Sequence, residues 1–341
     1  DGAFGGVARS LLTRIRDEQS SAPCLALGVG TLAPPTDDPR ETQCVRALND
    51  ALALTAFAEL RTLYVPLAGH ACTAPLPPPP LLSLDAERRF HTAAPAAAWL
   101  DAVTMPLRCR APLWSLQALF GGLQVSSSFN ICAANLALPI APDATPCEPD
   151  AHGVPYWFFP MAPCQLKPGA RQTFAQAVSW LGQPGGGASA AALLPPLLPC
   201  RSSESSAIWT RPQPLALPLG FPQFFAHSVD ERGRVIAGAE GMPAMRRAAD
   251  SEVLSTPVAA ALQASQAIGP LVSRVSDEWR THRRAAERRV QGAIDADDLT
   301  DMTEALMALR DAYDPPDIDA DDNGSESDEG DGGYATLSAG L

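Results

Sequence analysis

The sequence predicts an α+β fold in three parts. A Pro/Ala-rich, irregular mixed body of short strands and helices covers residues 1–240. An α-helical segment packed on that body covers 241–314, and an acidic disordered tail covers 315–341. Three observations carry this reading. The 34 prolines interrupt the apolar runs, and each fixes φ and removes a donor, so the body holds only short elements. Between about 271 and 313 apolar residues recur every three to four positions, the period of an amphipathic helix. After Arg310 there is no base, whereas ten acids run from Asp311 to Asp331.

The elements follow in order. Val7, Leu11, Leu12 and Ile15 predict a first helix over 3–19. Residues 24–33 read as a buried strand stopped by Pro34 and Pro35. Val45, Leu48, Leu52, Ala56, Leu60 and Leu63 predict a helix over 43–64. Pro75 and Pro77–Pro80 predict an extended polyproline II connector, a shape that also suits docking in a partner's aromatic groove. Short helices are expected near 96–103 and 113–120, and strands within 123–140. Residues 141–168 are broken by prolines and hold the densest aromatic cluster, Tyr156, Trp157, Phe158 and Phe159. A helix is expected over 170–182, ended by Gly185–Gly187, then a loop-rich layer over 188–224. A hairpin is expected over 225–239, its turn at Asp230–Gly233. Thr256-Pro257 predicts a helix start, a capping hydroxyl before a proline, and Gly269-Pro270 its end. Two further helices are expected over 271–293 and 298–312, closed by Pro315 and Pro316.

Composition bounds the function. Formal charge is −13, but the ten terminal acids hold most of it: the other 28 acids nearly balance the 25 bases. Lys167 is the one lysine. Abundant Ala, Pro, Gly and Arg beside scarce Lys, Asn, Ile and Tyr read as a GC-rich coding sequence, which explains the arginines more simply than phosphate binding does. The absence of an 18-residue apolar run free of proline argues against a membrane span. Eight widely spaced cysteines without CxxC read as reduced thiols, mostly buried. The chain opens without Met and without a secretory signal, which reads as a processed product, a fragment or a trimmed chain.

Candidate chemistry is sparse. His70 and Cys72 could form a thiol centre, but no third group orients the histidine. Cys147, Asp150, His152 and Cys164 could hold zinc, without the close cysteine pair of structural sites. His227 with Asp230 and Glu231 could do acid–base work, although a hairpin turn is usually solvated. Gly185–Gly187 lacks the Lys and Ser/Thr that complete a phosphate loop. Arg274, Arg280, Arg283, Arg284, Arg288 and Arg289 outnumber Asp277, Glu278 and Glu287 on one helix, a face for nucleic-acid phosphates or a surface helix whose arginines pair with acids on the next helix or on a neighbouring subunit. Ser325 and Ser327 sit among acids, as sites for an acid-directed kinase do.

No cofactor, metal or small-molecule substrate is nominated. The weakly charged, apolar-rich body predicts a non-catalytic structural or assembly protein working by protein contacts. Its sharpest form is a viral capsid or capsid-surface protein from a GC-rich genome, found in the virion or inside the host cell. Expected partners are a second copy or a larger capsid protein, through Arg280, Arg283, Arg284, Arg288 and the Tyr156, Trp157, Phe158, Phe159 cluster. The rivals are a Cys- or metal-dependent enzyme and a nucleic-acid-binding accessory protein using residues 274–289.

Overall fold

The computed structural model describes residues 4–30, 39–68, 81–85, 88–109, 114–123, 130–140, 158–161, 173–182, 206–234, 252–290, 292 and 294–313. They form an α+β fold. Helix α1 (Phe4–Glu18) leads to strand β1 (Leu25–Gly30), helix α2 (Arg40–Glu59) and strand β2 (Leu63–Ala68). Then come α3 (Arg89–Arg108), α4 (Leu116–Leu123), β3 (Ala133–Ala137), β4 (Phe158–Pro160) and β5 (Thr173–Leu181). Strands β6 (Ser206–Arg211), β7 (Leu215–Ala216), β8 (Ser255–Thr256) and β9 (Val258–Ser265) precede the last helices, α5 (Gly269–Val290) and α6 (Ala296–Tyr313).

The main sheet has the order β4-β3-β9-β5-β6. Strand β9 is its centre, antiparallel to β3 and to β5, while β5 and β6 run parallel. The parallel β1–β2 pair joins it through a bridge between Tyr64 and Ile131. Alternation along the strand at 131–136 divides the core. Cys132, Ala134 and Leu136 face a cluster with Trp99 of α3 and Leu119 and Phe120 of α4. Ile131 and Ala133 face a second cluster built by α2, α5 and α6. Helices thus cover both faces of the sheet, with Trp99 and Trp279 buried on opposite sides.

Two tethers cross these layers. Trp99 Nε1 donates to the Ala261 carbonyl of β9 at 3.1 Å. On the sheet itself, a chain of buried amides spans four strands: Asn135 Nδ2 donates to Gln263 Oε1 (2.6 Å), Gln263 Nε2 to Gln176 Oε1 (2.9 Å) and Gln176 Nε2 to Ser206 Oγ (3.0 Å).

Several expectations are corrected. The helix expected over 43–64 stops at Glu59, where Arg61 adopts a left-handed φ of 48°. The Arg61 and Thr62 amides turn back to the Ala58 and Phe57 carbonyls, a paired closure that caps the helix and releases Leu63 into β2. The helix expected over 170–182 is strand β5, and the helix expected from Thr256-Pro257 is the central strand β9. Both strands are buried on both faces, so neither shows the alternation that marks a half-exposed strand. Helix α3 runs 20 residues, through Pro95 and Pro106, where a short helix was expected. Leu123 ends α4 and starts no strand. The expected turn at 230–233 forms, with Gly233 at φ 68° and its amide donating to the Asp230 carbonyl at 3.0 Å. The second arm of that hairpin lies outside the described residues, as do Pro75–Pro80 and the acidic terminus.

Candidate arginine face on the penultimate helix

Helix α5 opens at Gly269-Pro270, where the ring's fixed φ fits the first turn and its missing N–H is no loss. Leu271, Val272, Val275, Trp279 and Ala286 bury one side against α2 and α6. Trp279 Nε1 donates to Thr303 Oγ1 of α6 at 3.0 Å. The remaining circumference is charged, and most of its ions are paired. Arg280 meets Asp277 at 3.1 Å, Arg310 of α6 meets Asp277 at 3.6 Å, and Arg283 meets Glu287 at 2.6 Å. Arg289 pairs with Glu41 of α2.

Arg284 differs. Its side chain forms no hydrogen bond or ion pair among the described residues; only its carbonyl is engaged, accepting from Arg288 Nε at 3.1 Å. The four-residue spacing sets Arg280, Arg284 and Arg288 on one stripe, and all three are exposed, Arg280 by 77%. Helix α6 exposes Asp297, Asp298, Asp301 and Glu304. The face is therefore a cationic ridge on a helix packed against an acid-bearing neighbour.

Toward the start of α5 lies a cleft of about 560 Å³, lined by Ser273, Arg274, Asp277, Glu278 and His282 with Arg310 of α6. Arg274 Nε stands 4.0 Å from Glu278 Oε1. Burial pushes the Glu278 carboxyl up, against the pull of Arg274 and Arg46. Asp50 of α2 is raised by burial and further by Glu278, again opposed by Arg46 and Arg274. Two cations and two carboxylates thus interlock α2 with α5. Ser273 Oγ and Arg274 Nη2 are buried there without a hydrogen-bond partner. The cluster's charges balance, so its chemistry is mutual neutralisation between helices.

The other sequence candidates divide. Asp230 accepts from the Arg232 and Arg234 amides, both at 2.8 Å, and from Arg234 Nε at 3.0 Å. Burial opposes its charge, but these donors outweigh burial and hold the carboxyl below its usual range. Asp230 therefore builds the turn. His70, Cys72, Cys147, Asp150, His152, Cys164, Gly185–Gly187, Tyr156, Trp157, Ser325 and Ser327 lie outside the described residues. Phe158 and Phe159 supply the backbone of β4, paired to β3. Cys24, Cys44, Cys109 and Cys132 are free thiols, and burial pushes the Cys132 thiol far up. Among the described residues no group of three or more His, Cys, Asp or Glu could hold a metal, and no helix is long and apolar enough to cross a membrane. The sequence reading missed Arg46, Asp50, Ser273 and Arg310. The i,i+4 spacing of Arg46 and Asp50 was the only signal for any of them.

No family model matches this chain. It is similar to fungal DML1 proteins. Over 113 residues it is 34% identical to protein dml1 of Aspergillus clavatus, covering 32% of this chain and 21% of that protein. It is 30% identical to protein dml-1 of Neurospora crassa over 155 residues, 42% of this chain and 26% of the relative. Over 110 residues it is 29% identical to protein DML1 of Phaeosphaeria nodorum, 32% of this chain and 20% of that protein. The matched region thus spans about a fifth to a quarter of these relatives' length. The finding overturns the viral reading: the relatives are cellular fungal proteins, so the capsid function, the virion location and the larger capsid partner are withdrawn. A composition rich in Ala, Pro, Gly and Arg does not by itself separate cellular genomes from viral ones.

Proposed function

We propose that this chain is a non-catalytic contact domain of a cellular protein resembling DML1, and that its α5 arginine ridge engages an acidic protein surface. One observation carries the reading: Arg284 stands exposed and without an acid among the described residues, between Arg280 and Arg288, on a helix whose other cations are mostly paired. Guanidinium is weakly hydrated and binds carboxylates through two parallel hydrogen bonds, so a ridge of three suits a carboxylate-rich segment.

The test uses the full chain and a fluorescent Glu-rich peptide as probe. Binding should weaken tenfold or more in the triple variant Arg280→Glu, Arg284→Glu, Arg288→Glu, with circular dichroism unchanged. Equal affinity of wild type and variant for the peptide refutes the reading. Tighter binding of a DNA or RNA duplex, with affinity falling steeply in salt, replaces it with nucleic-acid recognition.

A further inference from the structure

We propose that the ridge's resident occupant is this chain's own acidic segment, residues 317–331, held against Arg280, Arg284 and Arg288; the inference rests on reading that ridge as an acid-binding face. Three observations converge. The first is the point from which the segment departs. The Tyr313 hydroxyl donates to the Ile131 carbonyl at 2.9 Å and accepts from the Ile131 amide at 2.8 Å, so the last residue of α6 is fastened to the sheet. The contacts Trp279–Thr303 and Asp277–Arg310 show that α6 runs back along α5, which brings Tyr313 level with the first half of that helix.

The second is reach. From the level of Asp277 to Arg288 is eleven residues of helix, about 17 Å at 1.5 Å per residue. Residues 314–322 alone can span about 30 Å at roughly 3.3 Å per residue. The third is charge. Residues 317–331 hold eight acids and no base. The exposed acids of α6 repel this segment from its own helix, and the packed helix α5 offers exposed cations. Exposed pairs are individually weak. Tethering compensates, because a short link raises the local concentration of the second site to the millimolar range.

The contact has a regulatory reading. Ser325 and Ser327 fall within the segment, and each phosphate adds about −1.5 to −2 charges. Phosphorylation then tightens the internal contact and shields the ridge from other acidic proteins.

The chain's scarcity of lysine supplies the test, since Lys167 is the one native side-chain amine. The variant Arg284→Lys keeps the charge and adds an amine on the ridge. Zero-length carbodiimide coupling followed by peptide mass mapping should join position 284 to a carboxylate within 317–331. The yield should fall several-fold in 0.5 M salt, as screening lengths shrink below about 5 Å. Mixing isotope-labelled and unlabelled chains should leave the link within one copy. Links only to folded acids such as Glu287, or only between copies, overturn the proposal. The two ideas fail separately: an internal link without peptide binding removes the external partner alone, and peptide binding without the link removes the internal occupant alone.

Discussion

At the scale of single residues, the carboxylates of this protein divide by what surrounds them. Asp230 sits in a ring of donors and is held low, so its stabilisation is present above the usual carboxylate range and is lost as pH falls through the folded value. Asp50 is the reverse case. Burial raises it, with Glu278 adding to the rise, so the folded state binds its proton more tightly than the unfolded chain does. The fold therefore gains stability from Asp50 as pH falls from above its folded value toward the ordinary carboxylate range near 4. Asn at this position cannot titrate. Stability measured by urea unfolding should thus favour wild type over Asp50→Asn progressively from pH 7 to pH 4.5. A difference that stays constant, or that moves the other way, contradicts the assignment of Asp50 as a buried, strained charge. The arginine ridge was readable at this scale, since the spacing of Arg280, Arg284 and Arg288 alone places them on one stripe. The partners of Arg274 were not, because Arg46 and Asp50 lie more than 200 residues away and only packing of α2 on α5 brings them near.

Among elements, legibility followed exposure. Helices α5 and α6 have one wet side, so their apolar stripes stand out and their Pro and Gly boundaries mark the ends. Strands β5 and β9 have none. Their sequences, TFAQAVSWL and VAAALQAS, are rich in Ala, and Gln and Leu also favour helix, so local propensity pointed one way and the sheet another. Helix α3 shows the same override in the opposite sense. Burial of Trp99, Ala98, Ala102 and Val103 carries it past two prolines that local rules treat as stops. The joint between α6 and the sheet is a further product of tertiary placement, and it is testable. Tyr313→Phe removes the hydroxyl that satisfies both the amide and the carbonyl of buried Ile131. Leaving such groups unpaired costs about 1–3 kcal/mol each in general, so the variant should lose roughly 2–4 kcal/mol in chemical denaturation. A loss under 0.5 kcal/mol means the phenol is not the fastening.

For the whole molecule, the two cores share one sheet. Neighbouring residues Ile131, Cys132, Ala133 and Ala134 point alternately into the cluster of α2, α5 and α6 and into the cluster of α3 and α4. Neither cluster can lose its sheet wall without exposing the other. Unfolding of the full chain should therefore be a single transition, with Trp279 reporting one core and Trp99 the other. Fluorescence of single-Trp variants at these positions should give coincident midpoints. Midpoints separated by more than about 0.5 M urea identify two independently stable units.

The amide chain from Asn135 through Gln263 and Gln176 to Ser206 has a consequence for alignment. Alanines dominate β9 and recur in β3 and β5, and a two-residue slide preserves which side chains face which core. Hydrophobic pattern forbids only odd slips. The amides oppose the even ones, because Gln263 lies directly opposite Gln176 and a slide by two in either direction would part that pair and leave buried polar ends unmet. The facing glutamines thus act as a keyway for the seating of the central strand.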